Sequence, residues 1–248
     1  MAGRLGRSTI ERTLVTPALL VRRVDVGDAD VLATLFTRER GLVSASARRA
    51  RGPKSRLGPL EPLHTLRVVI EITARSDVGR LKEASLLRPR LHLLEDPARM
   101  EAASQILRWV RTLAPSNEPE PGAFDLVDAA LDHLAEVAPL AADAILGATG
   151  LSLAAAFGYR LELEACVRCG TPCPAGVAAL VDPAAGGVVC RACGGGTVLV
   201  RAAARASLGR VLRGDGLELT KEEAAIAVDL ATSTIDAHAR ARAAPRSK

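Results

Sequence analysis

Two cysteine pairs constrain this chain more than any other feature. Cys166-Val-Arg-Cys169 and Cys190-Arg-Ala-Cys193 stand twenty residues apart. Two residues between cysteines let both thiolates of a knuckle reach one ion, and a second knuckle completes the tetrahedron that Zn²⁺ prefers. The chain must then double back on itself, which marks residues 163–197 as a small module. Gly170 and the run Gly194-Gly195-Gly196 suit the tight turns such knuckles need. Four thiolates leave no coordination position for water or substrate, so one ion bound there is structural and not catalytic. Cys173 is a spare; it can replace Cys169 only at a poorer spacing and is read as a free thiol. The plainer alternatives are an unmetallated reduced loop and a redox dithiol, and no thioredoxin-like βαβ pattern surrounds either knuckle. Arg168 and Arg191, inside the knuckles, either offset the negative charge of the thiolates or touch nucleic acid.

The hydrophobic period changes once along the chain. Ala18–Val24, Val31–Thr37, Leu42–Ala47, Leu63–Thr73 and Arg80–Ser85 are short runs rich in Val, Leu and Ile, divided by turn residues. Five strands in so short a stretch predict a small barrel, of OB or SH3-like type. After Pro97 the spacing becomes helical, with expected helices at Ala98–Ala114, Phe124–Val137, Ala141–Phe157, Val200–Arg213 and Thr220–Ala239. The last opens on Thr220 and Glu223 in the S/T-x-x-E spacing of a capping box. Ala114–Gly122, with three prolines, reads as a loop between helices. The expected organisation is α+β: a barrel domain over residues 1–88, a helical domain over 89–240 carrying the cysteine module, and a disordered basic tail over 241–248.

Charge is concentrated. The whole chain is +5, whereas the window Arg38–Arg56 carries Arg38, Arg40, Arg48, Arg49, Arg51, Lys54 and Arg56 against Glu39 alone, a net of +6. A solvated charged turn is the ordinary reading of a charge run. So dense a cluster predicts phosphate contact, because lysine and arginine displace the counterions of a polyanion. Aromatic platforms for base stacking are nearly absent: Phe36 is the one aromatic in the barrel segment and is expected in the core. Binding is therefore expected to be electrostatic, sequence-tolerant and salt-dependent, to single-stranded and duplex DNA alike. Arg201, Arg205, Arg210 and Arg213 form a second basic group, read as a solvated face in preference to a DNA contact.

No stretch is apolar for the 18 to 20 residues a membrane span needs, and the N-terminus has no signal-peptide core. A cytoplasmic protein is expected, in a compartment where clustered cysteines hold metal. Nothing points to catalysis. His64, His92, His133 and His238 are scattered, there is no phosphate-cradling glycine loop, and Asp28 and Asp30 read as a turn.

The stretch Leu35-Phe36-Thr37-Arg38-Glu39-Arg40-Gly41, then Ala47-Arg48-Arg49-Ala50-Arg51 with Lys54-Ser55, then Leu60-Glu61-Pro62-Leu63, resembles the RecO recombination-mediator family. Phe157-Gly158-Tyr159 and Leu161-Glu162-Leu163 leading into Cys166 resemble the same family's junction ahead of its knuckles. Arg49 stands where the family usually has Gly, and Leu63 where it usually has Phe. The resemblance covers most of the chain. It implies an N-terminal OB-fold, a non-enzymatic protein that binds and anneals DNA, and cooperation with RecR in loading RecA onto DNA coated by single-strand-binding protein. It also implies a contact with that protein's C-terminal tail on the helical body. An RNA- or transcription-associated OB-fold and zinc-ribbon protein is the alternative.

Overall fold

The computed structural model describes residues 10–50, 57–58, 60–73, 76–138, 141–216 and 218–243. The chain divides into two units: residues 1–90 with Ala114–Phe124, and Leu91–Leu113 with everything from Asp125 onward.

In the first unit five strands, β1 (Ile10–Val26), β2 (Asp30–Thr37), β3 (Gly41–Ala47), β4 (Thr65–Thr73) and β5 (Ser76–Arg88), close into a barrel in the order β1-β2-β3-β5-β4. A parallel pairing of β3 with β5 (Ser44↔Val78, Ala45↔Gly79, Ser46↔Arg80) seals it, among otherwise antiparallel pairs. This is the OB-fold, and it decides between the two barrels the strand pattern allowed. β1 is longer than the apolar run beginning at Ala18: its first half pairs with β4, its second with β2, and both meet at Ala18 and Leu19. The period-2 alternation places Leu14, Leu20, Val31, Leu35, Val43, Leu66, Val68 and Ile70 inside. Ala18, Ala33, Ala45, Ala47 and Ala84 fill the remaining interior of a five-stranded barrel, too narrow for larger side chains at every position.

The segment Ala114–Phe124, expected as a plain loop between helices, belongs to the barrel's unit. Its backbone joins β3: Leu42 donates to the Pro115 carbonyl at 3.3 Å, and Asn117 donates to the Leu42 carbonyl at 3.0 Å. Gly41, at φ 61°, makes this possible, since a Cβ there would lie 2.1 Å from the Glu118 carbonyl oxygen. Phe36, fully buried, faces out of the barrel and packs against Phe124 at a centroid separation of 5.6 Å. It is core, as its setting predicts, but the core beneath this segment and not the barrel interior.

The second unit holds α1 (Pro97–Leu113), most of α2 (Pro121–Glu136), α3 (Ala142–Ala156), α4 (Ala202–Arg213) and α5 (Lys221–Ala243). Asp96 caps α1, its carboxylate accepting from the Arg99 amide at 3.0 Å, with Pro97 just inside the helix. α3 is buried almost all round and packs on α5, α1 and α4. Gly150 sets the closeness of that packing: a Cβ there would lie 2.5 Å from the Trp109 ring and 2.7 Å from Ala231 Cβ. The capping box at α5 is formed in both directions. Thr220 Oγ1 accepts from the Glu223 amide at 3.3 Å, and Glu223 Oε2 accepts from the Thr220 amide at 2.8 Å. α5 runs to Ala243, three residues into the stretch expected to be a tail, because alternating Ala and Arg are strong helix formers and Arg240 Nε donates to the Asp236 carbonyl.

Between α3 and α4 lies the cysteine module, built on a small sheet of β6 (Ala179–Asp182), β7 (Gly187–Val188) and β8 (Val198–Val200) in the order β7-β6-β8.

Candidate metal centre and cationic groove

The buried Leu161 and Leu163 carry the chain into the first knuckle. Glu162 exchanges backbone hydrogen bonds with the β6–β7 turn: its amide donates to Gly186 at 2.9 Å, and its carbonyl accepts from Val188 at 2.8 Å. Val167 donates to the Val188 carbonyl at 2.9 Å, fixing the knuckle on the sheet. The turns then close locally, with Gly170 donating to the Cys166 carbonyl at 2.8 Å and Gly195 to the Cys190 carbonyl at 3.0 Å.

These bonds bring the sulfurs of Cys166, Cys169, Cys190 and Cys193 within 4.8 Å of one another. The Cys169–Cys190 separation is 3.8 Å. Four sulfurs about 2.3 Å from a central ion in a tetrahedron lie about 3.8 Å apart, so the spacing fits a tetrathiolate site. Cys173 lies outside the cluster, its amide donating to the Glu164 carbonyl at 2.7 Å. The cluster is electrostatically graded. The backbone amide of Cys190, 3.4 Å from Cys166 Sγ, leads several N–H groups that draw this thiol down to about 6. The sulfurs of Cys169 and Cys190 hold the proton of Cys193 and push it up to about 12.

Arg168 donates from Nη1 to the Cys193 carbonyl at 2.7 Å, so it ties one knuckle to the other. The module is anchored on α4 by Arg205, whose buried guanidinium donates to the carbonyls of Leu163 (3.3 Å), Cys173 (3.1 Å) and Pro174. The neighbouring arginines are also engaged: Arg201, just before α4, with Glu222 at 3.0 Å, Arg210 with Ser207 at 3.3 Å, and Arg213 with Glu164 and Asp215 at 3.4 and 3.2 Å. Each of these four arginines is engaged within the chain, two of them by carboxylates.

The barrel cations are arranged differently from a single loop. Arg38 and Arg40 lie in the β2–β3 turn, where Arg40 Nε donates to Asn117 Oδ1 at 2.9 Å. Arg48 and Arg49 lie beyond the other end of β3, about 23 Å along a seven-residue strand. Arg51, Lys54 and Arg56 fall outside the described residues. Arg49 takes up φ 55°, so the turn is left-handed without glycine, and its amide donates to Asp30 Oδ1 at 2.8 Å. Asp28 lies in the β1–β2 turn, as expected, whereas Asp30 is the first residue of β2 and its side chain caps the turn after β3.

Arg48 and Arg49 rim a groove of about 890 Å³ that also contains Arg67 of β4 and Arg80 and Lys82 of β5, with Glu83 as its one carboxylate among the described residues. The charge window did not include these three. They are separated in sequence and meet only through strand pairing, although alternation with Leu66, Val68 and Leu81 marks each as outward-facing.

The architecture is that of an OB-fold protein with a tetracysteine module, able to hold a metal ion, inserted in a helical body. The family description "Recombination protein O N terminal" matches residues 12–90, and "Recombination protein O C terminal" matches residues 94–243. The chain is 34% identical over 205 residues to the DNA repair protein RecO of Anaeromyxobacter sp. (strain K), covering 82% of this chain and 79% of that one. It is 36% identical over 180 residues to the DNA repair protein RecO of Pelobacter propionicus, covering 72% and 71%. With that of Myxococcus xanthus it shares 35% over 178 residues, covering 71% of each. The chain belongs to the recombination protein O family. No helix among the described residues is long and apolar enough to cross a membrane.

Proposed function

We propose that this protein is a non-enzymatic mediator of DNA repair and recombination, acting in the cytoplasm at the nucleoid. It binds single- and double-stranded DNA, anneals complementary strands, and with RecR loads RecA onto DNA coated by single-strand-binding protein, whose C-terminal tail docks on the helical body. Family membership supports the repair role. The observation that carries DNA binding is the state of the arginines. Those of α4, and Arg201 just before it, are held by carboxylates, carbonyls and a hydroxyl, whereas the side chains of Arg48 and Arg49 have no ion-pair partner among the described residues. Cations left exposed and unpaired are available to phosphates. Arg51, Lys54 and Arg56 follow in sequence and extend this contact, and Arg38 and Arg40 add a second one at the other end of β3. The ion is Zn²⁺, one per chain, bracing the helical body.

The test is a fluorescence annealing assay over a salt series, comparing the natural chain with Arg48→Glu/Arg51→Glu/Lys54→Glu. Loss of annealing and a salt slope flatter by about three units support the proposal. Unchanged DNA affinity, or a marked preference for structured RNA over DNA, overturns it. Metal analysis of the purified chain checks the zinc assignment, with one equivalent expected.

A further inference from the structure

We infer that the nucleic-acid face of this barrel is its β3–β5–β4 side, where Arg67, Arg80 and Lys82 contact the phosphate backbone, in place of the β2–β3 side that OB-folds commonly use. The inference rests on the DNA-binding reading above and moves the centre of that site from the loop onto the strands.

The usual face is closed by the chain itself. Phe36 and Leu42, the outward residues at one end of β2 and β3, are buried beneath Ala114–Phe124 through the Phe124 ring and the two backbone bonds to Leu42. Gly41 has no room above it for even a methyl group. The remaining outward positions, Leu32, Thr34, Ser44 and Ser46, offer neither a cation nor an aromatic ring. The two strands themselves carry no outward cation; the nearest are Arg22 of β1, paired with Thr34, and Arg38 and Arg40 in the turn beyond.

The opposite side is built for a phosphate chain. β5 lies between β3 and β4, so Arg67 of β4, Arg80 and Lys82 of β5, and Arg48 and Arg49 just beyond β3 converge on one groove. Among the described residues Arg67 and Arg80 have no ion-pair partner, and Lys82 shares only Glu71, at 3.4 Å. The register explains how Lys82 joins the face. Ile70 pairs with Leu81 but Val69 pairs with Glu83, so Lys82 is the extra residue of a β-bulge, and both Lys82 and Glu83 point outward. Bulges re-aim side chains where a surface has work to perform. Glu71, opposite Arg80 and 3.4 Å from Lys82, and Glu83 offset part of this charge, and the excess that remains is positive. With no aromatic ring lining the groove, the contact is to backbone and tolerant of sequence.

The experiment measures binding of the full chain to a mixed-sequence duplex across a salt series. Arg67→Gln/Arg80→Gln/Lys82→Gln should lower the log–log salt slope by about two to three units, near 0.9 for each lost phosphate contact. The control Arg201→Gln/Arg213→Gln should leave it unchanged. If the strand variant keeps the natural slope while Arg48→Glu/Arg51→Glu/Lys54→Glu flattens it, the inference fails and the DNA-binding reading stands. If the natural chain ignores DNA at low salt, both fail. Lysine acetylation of the natural protein provides a readout independent of variant folding, because the chain has only Lys54, Lys82, Lys221 and Lys248. Duplex DNA should protect Lys82 and not Lys221, and equal reactivity of Lys82 with and without DNA overturns the inference.

Discussion

At Arg49 the backbone takes a conformation that costs an L-residue about 1 kcal/mol and glycine almost nothing. The left-handed turn survives because Asp30 accepts its amide hydrogen, and the side chain adds a cation to the groove rim. Arg49→Gly should therefore raise Tm by about 2–4 °C while lowering the salt slope of DNA binding by up to about one unit. Calorimetry and a binding titration on one preparation check both signs. His64 carries a different dependence. It is buried, Nδ1 accepts from the Arg90 amide at 3.0 Å, and the buried Arg90 guanidinium donates to the Leu63 carbonyl at 3.1 Å and Thr65 Oγ1 at 2.9 Å. Desolvation first, opposed by Glu61 and reinforced by Arg90, lowers its pKa below the ordinary 6.5. Folding then excludes a proton that the unfolded chain accepts, so stability is full above about 6.5 and declines as pH falls through that value. His64→Asn keeps an acceptor and should abolish this part of the acid loss, seen as a smaller fall in Tm between pH 7 and pH 5.

Elements recover their signals unevenly from sequence. The α5 start was legible because a capping box is local: Thr220 and Glu223 satisfy each other's amides three residues apart. Glu223 also accepts from Ser207 Oγ at 2.8 Å, and the Thr220 amide leads the causes that hold its carboxyl below the usual range. A depressed carboxyl stabilises above its unfolded pKa and loses that contribution as pH falls from about 4.5 through the folded value. Glu223→Ala should cost about 1 kcal/mol at neutral pH and much less in acid, measured by urea unfolding at both. The strands were legible for the same local reason, since alternation is read residue by residue. Three things were not. β1 begins eight residues before its apolar run, because its first half earns its place by pairing with β4. The cation window reads as one cluster, yet a seven-residue strand separates its two ends. Arg67, Arg80 and Lys82 become neighbours only when β4 and β5 align. What the sequence hides is what depends on a partner distant along the chain.

For the molecule as a whole, the clustering of the four cysteines was the most legible feature, because two pairs at knuckle spacing admit few other arrangements. Its coupling to α4 was not, since Arg205 reads as one more surface arginine and instead holds three carbonyls of the module. Removing the ion should therefore loosen more than the knuckles. Chelation is expected to speed hydrogen exchange in residues 161–200 and in α4 together, while β2 and β3 of the barrel keep their protection; mass spectrometry of deuterium uptake checks it. The membership of Ala114–Phe124 in the barrel's unit has no signal in the proline-rich sequence, which marks a turn but not the surface it meets.

The chain has one tryptophan, Trp109, sealed by the bare face of Gly150, and one tyrosine, Tyr159. Both belong to the helical unit, which leaves the barrel's unit with neither tryptophan nor tyrosine. Optically the barrel is dark. Intrinsic emission will follow exposure of the helical interior, with a red shift as Trp109 meets water, and stay silent while the barrel opens. Two melting curves recorded together, one by emission and one by backbone dichroism, will separate whenever the barrel and the helical unit lose structure at different temperatures.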